Sequence, residues 1–210
     1  EEALERIETL DDFEQKDTRH LLAEDYAYAI KRMGVRQNHS PILDSMKSYI
    51  VGLETYSNTI TQIAKKKKAQ GEVLDLRGYD ISGVKVVGTH TLVIEIKGKY
   101  PQFLYWLTMN FFAPIPWEAD LFYQQKGLVA KNLTLNWHPV GTGPYYLAEN
   151  NPNKQMRLVK NPNFHDEVYP SSDHDDAGKK LPFIDEVIYA LEKENIPLWN
   201  KFLQGYYDAS

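Results

Sequence analysis

The sequence predicts an α+β fold, a mixed sheet with packed helices, and three observations carry that reading. Apolar residues recur at helical spacing through the first third of the chain, the pattern turns to alternation at Val84, and strand-like runs dominate after Leu133. The first 20 residues are mostly charged, with Leu4, Ile7, Leu10 and Phe13 every third position, which fits a short amphipathic helix or helical turn. A stronger helix is expected from Ala23 to Met33. Tyr26, Ala29, Ile30 and Met33 share a face, acids Glu24 and Asp25 stand at its start, and bases Lys31 and Arg32 at its end complement the macrodipole. Gly34 is expected to stop it. After the polar loop Val35–Pro41, Ile42, Leu43, Met46, Tyr49 and Ile50 keep helical spacing, and a further helix is expected from Thr55 to Ala69, closed by Gly71. Its Lys65–Lys68 run reads as a solvated helix end.

From Val84 to Ile96 the alternation, with a turn at Gly88-Thr89-His90, predicts a β-hairpin. Pro101 and Pro116 each open a helix, the first with Phe103, Leu104 and Leu107 on its apolar side and the second reaching Lys126. A composition change over Leu128–Trp137 marks a lobe boundary. Beyond it, Tyr145–Glu149 and Gln155–Val159 flank an Asn- and Pro-rich turn and predict a second hairpin. Tyr169–Lys180 reads as a surface loop, Phe183–Leu191 as a strand and Ile196–Leu203 as a short closing helix.

Composition removes several function classes. A net charge of −5 disfavours nucleic acid as a partner, since phosphate neutralisation needs a basic field. The absence of cysteine excludes disulfides, thiolate nucleophiles and cysteine-based zinc sites. An apolar share of 42% is well above that of a disordered chain. No apolar run approaches the roughly 20 residues that span a bilayer. The acidic start, Glu1-Glu2, lacks a signal peptide's basic and apolar regions, and the end, Gly205–Ser210, carries aromatics with nothing to cover them. Both ends read as cut.

Local motifs support little catalysis. His165-Asp166-Glu167 and His174-Asp175-Asp176 could offer metal ligands, yet neither has the i, i+4 helical pairing of a zincin, and both fall in expected loops. No G-x-S-x-G elbow is present, Ser171-Ser172 sits in a loop, and the acid pairs Asp11-Asp12 and Asp175-Asp176 are exposed neighbours rather than a buried dyad. Gly141-Thr142-Gly143 lacks a phosphate-loop fingerprint and leads into a strand, so it reads as a tight turn.

That turn carries a resemblance. Pro139-Val140-Gly141-Thr142-Gly143-Pro144-Tyr145, followed by Leu158-Val159-Lys160-Asn161-Pro162-Asn163-Phe164, resembles the "G-T-G-P-Y" strand entry and the "L-x-x-N-P-x-Y/F" hairpin end of the family 5 extracellular solute-binding proteins, which include oligopeptide- and dipeptide-binding proteins. Ala23–Arg32 resembles their "T-A-E-D-x-x-Y-S-x-K-R" helix, Val84–Ile96 their hairpin, Tyr100–Pro116 their "P-x-F-L" helix, and Phe183–Asp208 the stretch ending in "L-x-x-G-x-x-D". The likeness covers residues 18–210. Leu22 departs from it, standing where the family has a capping Thr or Ser, as do Gly88-Thr89 in place of an acidic turn residue and Ile42 in place of a Tyr.

The resemblance implies a fragment of a two-lobed periplasmic binding protein of type II. Residues 1–130 would form an accessory subdomain of lobe 1, and residues 131–210 partial lobe 1 strands with a closing helix. The N-terminal strands and lobe 2, with the acid that receives a peptide's amino terminus, would lie outside the chain. The fragment alone is then expected not to bind ligand with useful affinity. The implied function is the substrate-binding component of an ABC importer, located in the periplasm or outside the cell, with or without a membrane anchor. It would capture peptides or similar small solutes for an inner-membrane permease, without cofactor, metal or catalytic residue. Cleft candidates are His39, Ile42 and Trp106, the first two flanking the family's Ser40-Pro41 loop, together with Tyr145, which suits a core role better. The alternatives are a metal-dependent hydrolase using the His165/His174 acidic loop and a non-transport interaction lobe.

Overall fold

A computed structural model describes residues 6–14 and 18–209 of the chain. The chain divides into two compact units at the Gly141–Thr142 bond. Of the N-terminal pattern, Leu4 lies outside the described part. What is described there is a 3-10 turn at Leu10–Asp12, with Leu10 packing on a small core and Phe13 edge-on to Phe122 at 5.7 Å.

The first unit is built on α1 (Ala23–Met33), whose bounds are those the sequence predicts. Leu22 offers no side-chain acceptor at its N-cap; the Asp25 carboxylate instead accepts from the Leu22 N–H at 2.9 Å. The helix is covered on more than one face. Tyr28, Ile30 and Met33 enter the core while Tyr26, expected inward, is exposed. Gly34 ends the helix as its C-cap, in a right-handed conformation (φ −65°). A Cβ at Gly34 would meet the Tyr56 ring at 2.7 Å, and close approach is what requires glycine there.

After a 3-10 turn at Arg36–Asn38, α2 (Leu43–Tyr49) and α3 (Leu53–Gln70) pack on α1 through Leu43, Met46, Leu53, Tyr56 and Ile60. Each fully buried aliphatic side chain contributes about 1.5–3 kcal/mol of burial energy, which makes this cluster the main source of the unit's stability. Gly71 closes α3 in the left-handed region (φ 65°), its N–H reaching the Lys67 and Lys68 carbonyls. The hairpin β1 (Val84–Val86) and β2 (Leu92–Ile94) is antiparallel with Val84 opposite Ile94. Its turn supplies the Thr89 carbonyl that accepts the first N–H of α1, from Ala23, at 3.0 Å.

Short helices complete this unit: α4 (Phe103–Leu107), α5 (Trp117–Tyr123) and α6 (Lys126–Ala130). Only Phe103 of the expected apolar side of α4 is buried; Leu104 is 68% exposed and Leu107 remains at the surface. The helix after Pro116 ends at Tyr123 and α6 follows as a separate element, so no single helix reaches Lys126.

The second unit is a three-stranded antiparallel sheet in the order β3 (Tyr145–Asn151), β4 (Gln155–Lys160), β5 (Glu186–Ala190), followed by α7 (Asn195–Leu203). The register shifts between Leu147 and Glu149, marking a bulge. The Asn151 carboxamide accepts the Asn153 N–H at 3.0 Å, a local side-chain turn that joins β3 to β4.

Candidate ligand-binding surface

The four expected cleft residues fall in both units, three in the first and Tyr145 in the second. His39 is exposed and holds a left-handed backbone (φ 52°) just after the 3-10 turn, a conformation costly for a residue with a Cβ. Ile42 precedes α2 and points inward; it is 7% exposed and belongs to the main core. As it stands it supports the Ser40-Pro41 loop from behind rather than offering surface to a ligand.

Trp106 packs against that same core and is half-buried. Its indole N–H donates to the Tyr100 hydroxyl at 3.1 Å, and Tyr100 stacks on Tyr49 with centroids 4.4 Å apart and planes 16° apart. This orders three aromatic side chains from α2, α4 and the chain between β2 and α4. Sequence reasoning missed Tyr49 and Tyr100 because stacking between distant positions has no local period. One signal was available: residues 101–117 hold no charged side chain, although a quarter of the chain is charged. Tyr105 of this stretch is 70% exposed, and Met109 and Phe111 are also at the surface. Close by in the same unit, a cavity of about 400 Å³ is walled by Leu22, Tyr26, Ile30, Leu92, Ile94 and Phe112, with His90 also in its lining. Such walls accept an apolar group of modest size.

Tyr145 is half-buried and its hydroxyl donates to the Ile184 carbonyl at 2.7 Å, an intramolecular structural bond. The neighbouring motif halves meet through Asn161. Its Nδ2 donates to the Gly143 carbonyl at 2.9 Å, its backbone N–H donates to the Pro144 carbonyl at 2.8 Å, and its Oδ1 accepts from the Asn163 N–H at 3.0 Å. The paired "G-T-G-P" and "N-P" signatures are thus two sides of one clamp that sets the entrance of β3 against the exit of β4.

The histidine loop does not converge. His165 Nε2 lies 3.5 Å from Glu167 and His174 Nδ1 lies 3.4 Å from Asp176, each an exposed local pair. Among the described residues no group of three His, Asp or Glu side chains is placed to hold a metal ion.

The electrostatics of the first unit centre on α1. Asp25 is 2% exposed, and its two oxygens accept from Arg19 at 2.6 and 2.8 Å, while Arg19 also donates to Glu118 at 2.7 and 2.9 Å. Burial by itself would raise the Asp25 carboxyl, but the Arg19 hydrogen bonds and the Leu22 N–H outweigh it and hold the group below its usual range. At the other end of α1, Asp120 accepts from Tyr28 at 2.8 Å, Arg32 at 2.8 Å and Gln124 at 3.0 Å. Burial and the facing Asp120 push the Tyr28 phenol well up. These two networks fasten α5 to α1.

The sequence profile of the "Bacterial extracellular solute-binding proteins, family 5 Middle" matches residues 16–210, and the chain belongs to that family. Solved structures agree in fold. The chain is similar to a periplasmic oligopeptide-binding protein of an oligopeptide ABC transporter from Borrelia burgdorferi, with a TM-score of 0.60 at 22% identity over 89% of this chain and 31% of that one. It is similar to the substrate-binding domain of an oligopeptide ABC transporter from Bacillus anthracis, with a TM-score of 0.57 at 17% identity over 89% and 30%. It is also similar to the oligopeptide-binding protein OppA of Haemophilus influenzae in complex with the peptide RPPGFSPFR, with a TM-score of 0.56 at 17% identity over 90% and 30%. The chain therefore spans about a third of the length of these proteins. No curated protein matches the sequence.

Proposed function

We propose that this chain is part of the substrate-binding component of an ABC importer, one that captures peptides or similar solutes outside the inner membrane and delivers them to a permease. The family match over residues 16–210 carries the reading. The likeness in fold to a protein bound to the peptide RPPGFSPFR supports a peptide as ligand class. His39, exposed on a strained turn, and Trp106, braced by Tyr100 and Tyr49, are the contacts assigned to the ligand. Ile42 would hold the Ser40-Pro41 loop, and Tyr145 would set the entrance of β3. Affinity would come from aromatic walls and backbone hydrogen bonds, with no bond made or broken in the solute.

Calorimetry on the whole protein that carries this chain, titrated with a peptide library, tests the proposal. Binding of at least one peptide class is expected, and Trp106→Ala is expected to weaken it by about tenfold or more, as for a buried aromatic anchor. Failure of every peptide to bind would remove the peptide assignment, and a solute of another class would then have to be sought.

A further inference from the structure

Between α1 and β1 the first unit holds a second cavity, of about 460 Å³, and Lys31 is among the residues that line it. Lys31 is only 9% exposed, the one lysine among the described residues that is buried. Its Nζ is poorly matched for such a site. It reaches the Asp80 carboxylate at 3.2 Å and the Arg77 carbonyl at 3.4 Å, both long for charge-assisted hydrogen bonds, and an ammonium has three donors to place. Asp80 is itself weakly held, since its side chain is 91% exposed. An ion pair with one partner in open solvent contributes little and is easily exchanged. Lys85, Arg77 and Ser82 stand on the rim, and Glu24 is the remaining acid there. Arg77 is already bound to Asp75 at 2.6 Å and lies over the Trp117 ring at 3.5 Å, which fixes it as a rigid wall.

We infer that this cavity is an oxyanion site, taking a carboxylate or phosphate group of a small solute onto Lys31. The exposed Asp80 carboxylate occupies the ligand's place and swings aside when the ligand enters. Lys85 and Ser82 then supply a second charge and a hydroxyl, beside the buried Tyr28, Ala27 and Val84. The chain as a whole is acidic, so non-specific attraction of anions is weak and a bound oxyanion would report this pocket.

The test is a titration of the isotope-labelled chain, followed by NMR, with inorganic phosphate and separately with acetate, against sodium chloride at matched ionic strength. Saturable shifts confined to the backbone around Lys31 and Arg77–Lys85, with midpoints below about 50 mM, are expected for at least one oxyanion. Saturation by phosphate alone would mark a phosphate site, and saturation by both a general carboxylate and phosphate site. Asp80→Asn removes the competing carboxylate from an exposed position and is expected to tighten binding several-fold, an effect a purely structural Lys31–Asp80 pair would not produce. Lys31→Met is expected to weaken binding by about tenfold or more, and Lys85→Gln, on the exposed rim, by about threefold. Shifts that chloride reproduces, or the absence of saturation in both the natural chain and Asp80→Asn, would overturn the inference. So would unchanged binding in Lys85→Gln together with a folded Lys31→Met.

Discussion

Asp25 is the residue on which the start of α1 depends. It replaces the missing N-cap side chain by accepting the Leu22 N–H, and it holds Arg19, which in turn holds Glu118 on α5. Fully buried pairs cost about 3–5 kcal/mol when one partner is removed, and exposed ones about 0–1. Here the acid is buried and the guanidinium is partly open to solvent. Asp25→Asn is therefore expected to cost about 2–3 kcal/mol at neutral pH, intermediate between those limits, read by chemical denaturation. The pH dependence has a definite sign. The folded carboxyl lies below its unfolded value, so its contribution is complete above the ordinary carboxylate range, near pH 4, and is lost as pH falls through the folded value. The gap between the natural chain and Asp25→Asn should shrink in acid; a constant gap from pH 7 to 3 would show that Asp25 acts through packing alone.

At the scale of elements, two joints are exposed to single substitutions. Gly34 lets α1 end against the Tyr56 ring of α3, and Gly34→Ala puts a Cβ 2.7 Å from that ring. The ring or the helix end must then shift, at a cost of about 1–3 kcal/mol, measurable as a lower melting temperature. Because Gly34 has an ordinary right-handed φ, Tyr56→Leu in the same chain should recover part of the loss; a left-handed requirement would not be relieved this way. The second joint is the Asn161 clamp. Asn161→Ala removes the side-chain bonds to the Gly143 carbonyl and from the Asn163 N–H while leaving the backbone bond to Pro144. A loss of about 1–2 kcal/mol local to the sheet is expected, seen as faster hydrogen exchange along β3 and β4. Unchanged exchange there would deny the clamp its role. Both joints were partly readable beforehand: the helix end at Gly34 and the paired motif were visible, whereas the Tyr56 contact and the Gly143–Asn161 bond join separate stretches and leave no local mark.

Over the whole molecule, burial is uneven. The buried apolar side chains run from Ala23 to Leu135, all in the first unit, while none of the described residues of the second unit is fully buried. On α7, Ile196, Trp199 and Leu203 are exposed at helical spacing, and Ile188 and Tyr189 are exposed on β5. Hydrogen exchange in this 210-residue chain should therefore be slowest in α1 and α3 and faster by orders of magnitude in β3–β5, with unfolding in two steps rather than one. Equal protection in both units would contradict a stability ranking based on burial.

The chain's sequence alone determined the local elements and the family. Helical spacing set α1 to its ends, alternation set both hairpins, and the turn signatures around Gly143 and Asn161 marked the family 5 fold. Tertiary structure decided which faces those elements bury. Periodicity groups Tyr26 with Ile30, and Leu104 with Phe103, but it cannot say how many sides of a helix receive a partner; packing put Tyr28 inside, left Tyr26 and Leu104 outside and drew Ile42 into the core. The same limit hid the Arg19–Glu118 bridge and the Tyr49–Tyr100 stack beside Trp106, because contacts between residues far apart in the chain depend on the path of the backbone between them. Position along the chain names the residues that can act; only their placement in space tells which of them meet.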